Sequence, residues 1–176
     1  MRRKNIKEKI KEYFFIHPTE KLRVRQLSSK TLLPLPSVIK YCKELEKEKI
    51  LKTIKMENVV FYTANIECEE YKIEKKLFNI KSIYNSGLIE EIKENYGNPV
   101  IVLFGSYSKG EDIESSDIDL YVETSSEKDI NLIKYEKKLN RKIELHKYKN
   151  IFDIKNKHLR NNIINGITLN GFLKVF

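Results

Sequence analysis

Two short segments of this chain carry side chains whose types and spacing could do chemistry. In Val102-Leu103-Phe104-Gly105-Ser106-Tyr107-Ser108-Lys109-Gly110 an apolar run breaks at Gly105 into a small polar turn. In Ser116-Asp117-Ile118-Asp119-Leu120-Tyr121-Val122 two carboxylates stand two residues apart at the start of a second apolar run. Side chains alternate along a strand, so Asp117 and Asp119 are expected on one face while Ile118, Leu120 and Val122 enter the other. Crowded carboxylates repel each other and are costly without a cation. A pair of Mg²⁺ ions about 3.5–4 Å apart would remove that cost. One ion would hold a triphosphate tail, and the other would lower the pKa of an attacking hydroxyl. The chemistry implied is transfer of a phosphorus-containing group, with the metal and positioning supplying most of the catalysis.

A third carboxylate is wanted to complete the shell of the second ion. Glu144 is the candidate. Lys142-Ile143-Glu144-Leu145-His146 alternates, with Ile143 and Leu145 facing one way and Glu144 the other. A plain solvated glutamate is the competing reading. Gly105 permits a tight approach or a positive φ at the strand exit. Ser106 can turn its hydroxyl and amide toward phosphate at the start of a short helix. Lys109 can balance charge or point outward, Gly110 allows the next turn, and Ser116 precedes the acids. No Ser-His-Asp or Cys-His arrangement competes, since His17, His146 and His158 are scattered. His146 could approach the site from the Glu144 strand, or lie at the surface. Cys42 reads as core, and Cys42 and Cys68 lack metal-like spacing.

These residues resemble the nucleotidyltransferase superfamily related to DNA polymerase beta, especially its minimal prokaryotic branch. The family pattern is Gly-Ser, two variable positions, often Arg, then Gly, followed by Ser-Asp-x-Asp-Leu. It corresponds here to Gly105, Ser106, Lys109, Gly110, Ser116, Asp117, Asp119 and Leu120. Lys109 replaces the frequent Arg, which keeps the charge but loses the guanidinium fork. The resemblance covers about residues 85–176 and implies metal ligation by Asp117 and Asp119, with Glu144 as the acid of a following strand. It also implies Mg²⁺ or Mn²⁺ as cofactor and ATP or another nucleoside triphosphate as substrate, with nucleoside monophosphate transfer and pyrophosphate release. The acceptor stays open among a protein hydroxyl, an RNA end and a small molecule.

The elements that must position this site are expected to form an α+β fold with a mixed sheet flanked by helices over residues 86–176. Leu159–Leu173 resembles the closing helix and strand of minimal family members. Ahead of it, Leu88–Tyr96 reads as a helix closed by Gly97, and Asn98-Pro99 as the turn into the strand Val100–Phe104. Residues 66–85 read as a charged connector helix, with Tyr71, Leu77, Ile80 and Tyr84 as its apolar positions, which could also pair subunits as a homodimer.

Residues 1–65 have a different character. They hold 16 Lys and Arg against 7 Glu, while residues 66–176 hold 18 of each sign, so the whole net charge of +9 lies in the first third. Ile6, Ile10, Tyr13 and Phe14 fall at helical spacing up to His17-Pro18. Leu22-Arg23-Val24 reads as a very short strand, and Arg25–Ser29 begins a second helix that Leu32-Leu33-Pro34-Leu35-Pro36 interrupts. A third helix runs from Pro36 or Ser37 to about Lys49, burying Val38, Ile39, Cys42 and Leu45. Ile50–Ile54 and Val59–Thr63 read as strands joined at Glu57-Asn58. That order resembles a winged helix-turn-helix, which implies double-stranded DNA as partner, with the third helix in the major groove. Ser37, Lys40, Tyr41, Lys43, Glu44 and Lys47 are the outward candidates on that helix. Arg23, Arg25, Lys30, Lys52 and Lys55 are candidate phosphate contacts. A regulator that only senses nucleotide is the alternative to an enzyme, and an oligomerisation arm is the alternative to a DNA-binding domain.

Composition narrows the classes further. With 40% hydrophobic residues the chain can build a core and is no disordered tail. No run approaches the length of a membrane span. Met1-Arg2-Arg3-Lys4 leads into a charged segment without the apolar core of a secretion signal, and two thiols suit a reducing compartment, so a cytoplasmic location is expected.

Overall fold

A computed structural model describes residues 5–176; the basic run Met1–Lys4 lies outside them. The chain forms two compact units, one running to Phe78 and the other beginning at Asn79. The first is built from helices α1 (Ile6–Ile16), α2 (Val24–Thr31) and α3 (Leu35–Lys47), then strands β1 (Leu51–Met56) and β2 (Val59–Ala64). Asn5 starts α1 by accepting the Lys7 N–H on its side-chain oxygen at 3.3 Å, satisfying one of the otherwise orphaned donors of a first helical turn. Gln26 does the reverse at α2, where its side chain accepts the Arg23 N–H at 2.9 Å. Leu32, left-handed at φ 54, ends α2, and Pro34 caps α3. Helix α3 thus begins slightly before its expected start and ends at Lys47.

Ile10, Phe14, Phe15, Leu27, Val38, Cys42, Leu45, Leu51 and Tyr71 form the core of this unit. Burial raises the Cys42 thiol to about 12, which leaves it an inert packing group. Ile39, expected in the core, is instead 37% exposed. The hairpin pairs Met56 with Val59 across Glu57 and Asn58, both at positive φ, the conformation a two-residue hairpin turn demands. Only Leu22 of the expected short strand pairs, in a single bridge to Tyr62.

Helix α4 (Glu69–Ser86) carries the chain past residue 78, and α5 (Leu88–Tyr96) follows, closed by Gly97. Then come β3 (Ile101–Phe104), α6 (Gly105–Lys109), β4 (Ile118–Glu123), α7 (Ile133–Leu139), β5 (Ile143–Tyr148), a single 3₁₀ turn at Ile151–Asp153, α8 (Lys157–Ile164) and β6 (Ile167–Asn170). The sheet order is β5-β4-β3-β6, with β3 antiparallel to both neighbours and β4 parallel to β5. A parallel pair needs a crossover, and the segment containing α7 supplies it.

The sheet separates two apolar layers. Ile101, Leu103, Ile118, Leu120, Val122 and Ile143 meet Ile83, Leu88, Ile89, Ile92, Tyr135 and Leu139 on one side. On the other, Val102, Phe104 and Tyr121 meet Ile151, Ile154 and Ile163. The closing segment is held tightly against β3: a Cβ on Gly166 would come within 2.6 Å of the Leu103 carbonyl oxygen. Among the described residues no helix is long and apolar enough to cross a membrane.

Candidate active site

The site forms where β3 ends and the parallel pair β4–β5 begins. Phe104 pairs with Asp119, and Asp119 pairs in register with Glu144. Alternation places Asp119, Glu144 and His146 on one side of the sheet, while Ile118, Leu120 and Ile143 fill the core on the other. One ligand atom from each of Asp119, Glu144 and His146 lies within 4.8 Å of the others. His146 Nε2 is 3.5 Å from Asp119 Oδ1 and 3.8 Å from Glu144 Oε1. The histidine and aspartate side chains are mostly buried, whereas Glu144 is 61% exposed and opens the group to solvent. The His146 ring is tilted against Phe104, with ring centroids 5.1 Å apart.

Gly105 closes one side of this group. It turns the chain from β3 into α6 at φ +74, and a Cβ there would overlap the Asp119 carboxylate. No side chain caps the first turn of α6, so Ser106 stands among main-chain donors that an anion could use. Gly110, left-handed at φ 73, ends the helix, and Lys109 is exposed.

Asp117 is placed differently from the expectation. Strand β4 begins at Ile118, whose N–H donates to the Lys142 carbonyl at 2.8 Å. Asp117 therefore sits on the approach to the strand, exposed, and is not one of the three clustered groups. The reason lies just upstream. Ser116 Oγ accepts the Ile113 N–H at 3.0 Å, and the Ser116 N–H donates to the Ile113 carbonyl at 3.0 Å. The Ser116 hydroxyl thereby holds a turn.

The donor set fits a divalent cation. Two carboxylates and one imidazole converge, the glycine leaves the space that a Cβ would fill, and His146 Nε2 is buried without a hydrogen-bond partner. From sequence alone the role of His146 is open, because a histidine on a polar strand face has many bland explanations. Its two-residue spacing from Glu144 was the available signal.

A second polar cluster lies nearby in the chain. Asp112 accepts from Asn79 Nδ2 at 2.8 Å and from Arg141 Nη2 at 3.2 Å, and Asn79 also donates to the Tyr107 carbonyl at 2.9 Å. All four residues are buried. Burial, with the nearby Asp112 charge, pushes the Tyr107 phenol well above its ordinary value. Nothing in the acidic run Glu111–Glu114 marked Asp112 as interior.

In the first unit, α3 buries Val38, Cys42 and Leu45 and exposes Lys40, Lys43 and Lys47 on the opposite side. Ser37, Tyr41 and Lys52 are half-buried, while Arg23, Arg25 and Lys55 are exposed. One candidate phosphate contact, Lys30, and one outward residue of the third helix, Lys40, already have acidic neighbours. Lys30 is paired with Glu20 at 2.8 Å, and Lys40 lies 3.9 Å from Glu44.

Residues 85–169 match the family model described as "Nucleotidyltransferase domain". Over 49 residues the chain is 49% identical to "Putative protein adenylyltransferase MJ1215" of Methanocaldococcus jannaschii, a stretch covering 28% of this chain and 56% of that protein. The chain thus spans about half the length of this curated relative. No solved structure matches it. Asp119, Glu144 and His146 all lie within the matched span, so the candidate metal-binding group sits inside the segment that is similar to nucleotidyltransferase domains.

Proposed function

We propose that the second unit transfers a nucleoside monophosphate, AMP from ATP, to a hydroxyl on a protein or nucleic-acid-associated acceptor. The observation that carries this reading is the in-register pairing of Asp119 with Glu144 beside the Gly105 turn, within residues that match a nucleotidyltransferase domain. The similarity to a protein described as an adenylyltransferase supports AMP and a protein acceptor over other pairs.

In this reading the acceptor oxygen attacks the α-phosphorus. A new oxygen–phosphorus bond forms, the bond to the bridging oxygen breaks, and pyrophosphate leaves. The hydroxyl proton passes to solvent, to which Glu144 opens. A divalent cation held by Asp119 and Glu144, with Asp117 at the strand entrance, would neutralise phosphate charge and make the acceptor hydroxyl more acidic. Gly105 lets the main chain pass close to Asp119, and the uncapped first turn of α6 offers N–H groups to phosphate oxygens. Incubating the protein with Mg²⁺ or Mn²⁺, α-³²P-ATP and a lysate of its source tests the reading. A labelled macromolecule that requires Asp119 is the expected result. ATP binding without any labelled product would favour a nucleotide-sensing regulator instead.

We infer that the first unit binds double-stranded DNA in the manner of a winged helix. Three helices followed by a tight hairpin, with Lys40, Lys43 and Lys47 along the outer side of α3, support this. Lys43→Ala is expected to leave nucleotide transfer unchanged and to reduce the salt slope of DNA binding by about one. Binding titrations across a salt series would measure it, and identical slopes would remove Lys43 from the interface.

A further inference from the structure

We propose that His146 Nε2 is a direct ligand of the cation held at Asp119 and Glu144, and that this nitrogen makes the site prefer a first-row transition ion such as Mn²⁺ over Mg²⁺. The inference rests on the transferase reading and specifies its metal.

Three observations lead to it. Nε2 is a buried polar atom with no hydrogen-bond partner, an arrangement that costs free energy unless something binds there. Its neighbours are the wrong distance for hydrogen bonds but suitable for shared coordination. Donors about 2.1 Å from one ion stand roughly 3–3.5 Å apart in octahedral or tetrahedral arrangements. The 3.5 Å to Asp119 Oδ1 already stands at the edge of that range, and the 3.8 Å to Glu144 Oε1 needs only a slight contraction to reach it. Finally, the ring is held in place rather than free to swing. It packs on Phe104, and β5 fixes it two residues beyond Glu144, on the same side of the sheet.

The chemistry of the donor set then selects the ion. Mg²⁺ favours oxygen donors and holds its waters firmly. Imidazole nitrogen suits first-row transition ions, whose affinity for nitrogen ligands exceeds that of Mg²⁺. Two carboxylates and one imidazole leave coordination positions open for phosphate oxygens and water, since Glu144 lies at the solvent boundary.

Electron spin-echo spectroscopy of the full chain loaded with Mn²⁺ alone tests the ligand without any turnover. The wild type is expected to show ¹⁴N modulation from a coordinated imidazole, and His146→Gln to lose it. Calorimetric titration should show that His146→Gln weakens Mn²⁺ binding about tenfold to a hundredfold. Mg²⁺ binding should change by less than about threefold, because Mg²⁺ gains little from nitrogen. Bound Mn²⁺ that depends on Asp119 yet shows no nitrogen modulation would overturn the His146 assignment and leave the transferase reading standing. Equal weakening of Mn²⁺ and Mg²⁺ by His146→Gln would overturn the selectivity. Equal Mn²⁺ binding by the wild type and Asp119→Asn would overturn both the assignment and the metal site on which it rests. The wild-type spectrum decides the ligand question even if the variant folds poorly.

Discussion

Two groups of charged side chains in the second unit use similar residue types in opposite ways. Asp112 and Arg141 are buried, joined to each other and tied through Asn79 to the Tyr107 carbonyl. Asp119, Glu144 and His146 also converge, but more loosely: neither distance from His146 to the acids, 3.5 and 3.8 Å, is a good hydrogen bond, and Nε2 has no partner. A polar group that is hydrogen-bonded inside a protein stabilises a particular arrangement, whereas one left unsatisfied calls for an explanation. Arg141 Nε also makes no hydrogen bond, but the same guanidinium is paired with Asp112 at 3.2 Å, so the contrast marks the first group as structural and the second as the candidate ligand site. Charge density alone would not separate them.

The strongest way to break the contrast is to neutralise one member of each group. Asp119→Asn is expected to lower nucleotide transfer roughly a thousandfold, about 4 kcal/mol of transition-state stabilisation. It should leave stability within about 1 kcal/mol of the wild type, or slightly raised, because one carboxylate leaves a crowded site. Arg141→Met should do the opposite. Removing the guanidinium from beside the buried Asp112 is expected to cost about 3–5 kcal/mol, read as a fall in the thermal midpoint of more than roughly ten degrees. A cost below about 1 kcal/mol would mean that the pair is not structural.

Gly105→Ala tests whether the main chain beside the ligand-binding group is as constrained as its φ of +74 indicates. The left-handed strain and overlap with the Asp119 carboxylate should together cost about 1–3 kcal/mol, and transfer should fall as Asp119 is displaced. Unchanged denaturant unfolding and activity would show that the turn has slack.

The smallest expected effect concerns Glu91, a carboxylate already satisfied at the surface. Hydrogen bonds from the Tyr135 hydroxyl at 2.6 Å and Lys134 Nζ at 3.1 Å hold its pKa below the ordinary 4.5. A lowered folded pKa gives stability that is present above the unfolded value and lost as pH falls through the folded one. Glu91→Gln should therefore flatten the loss of stability below about pH 4.5, measured by urea unfolding at pH 7 and pH 3.

Much of the fold was legible because local signals agreed. Helical spacing located α1 and α5, Gly97 marked the end of α5, and Glu57-Asn58 marked the hairpin turn. Alternation in Lys142–His146 placed Glu144 opposite Ile143. What sequence reasoning missed depended on distant partners. The crossover helix α7 has a short apolar pattern that becomes evident only once Tyr135 and Leu139 meet the sheet. Asp112 looks like one more acid in a charged loop until Arg141, 29 residues later, reaches it. Asp117 reads as a strand residue by alternation, but the Ser116–Ile113 turn delays the strand by one position. Ser116 reads only as part of the nucleotide-binding pattern, and its hydroxyl also holds that turn.

The register of β4 and β5 carries a consequence for how damage to this unit would express itself. Slipping one strand by a single residue would drive Glu144 and His146 into the apolar layer and turn Ile143 outward. Losing the burial of Ile143 alone would forfeit about 1.5–3 kcal/mol, before the cost of burying a carboxylate. The separation of the ligand atoms therefore has no soft intermediate settings along the strand. Injury elsewhere in the unit is expected to reduce the number of competent molecules while leaving each survivor at full rate. An active-site titration would then fall in parallel with total activity.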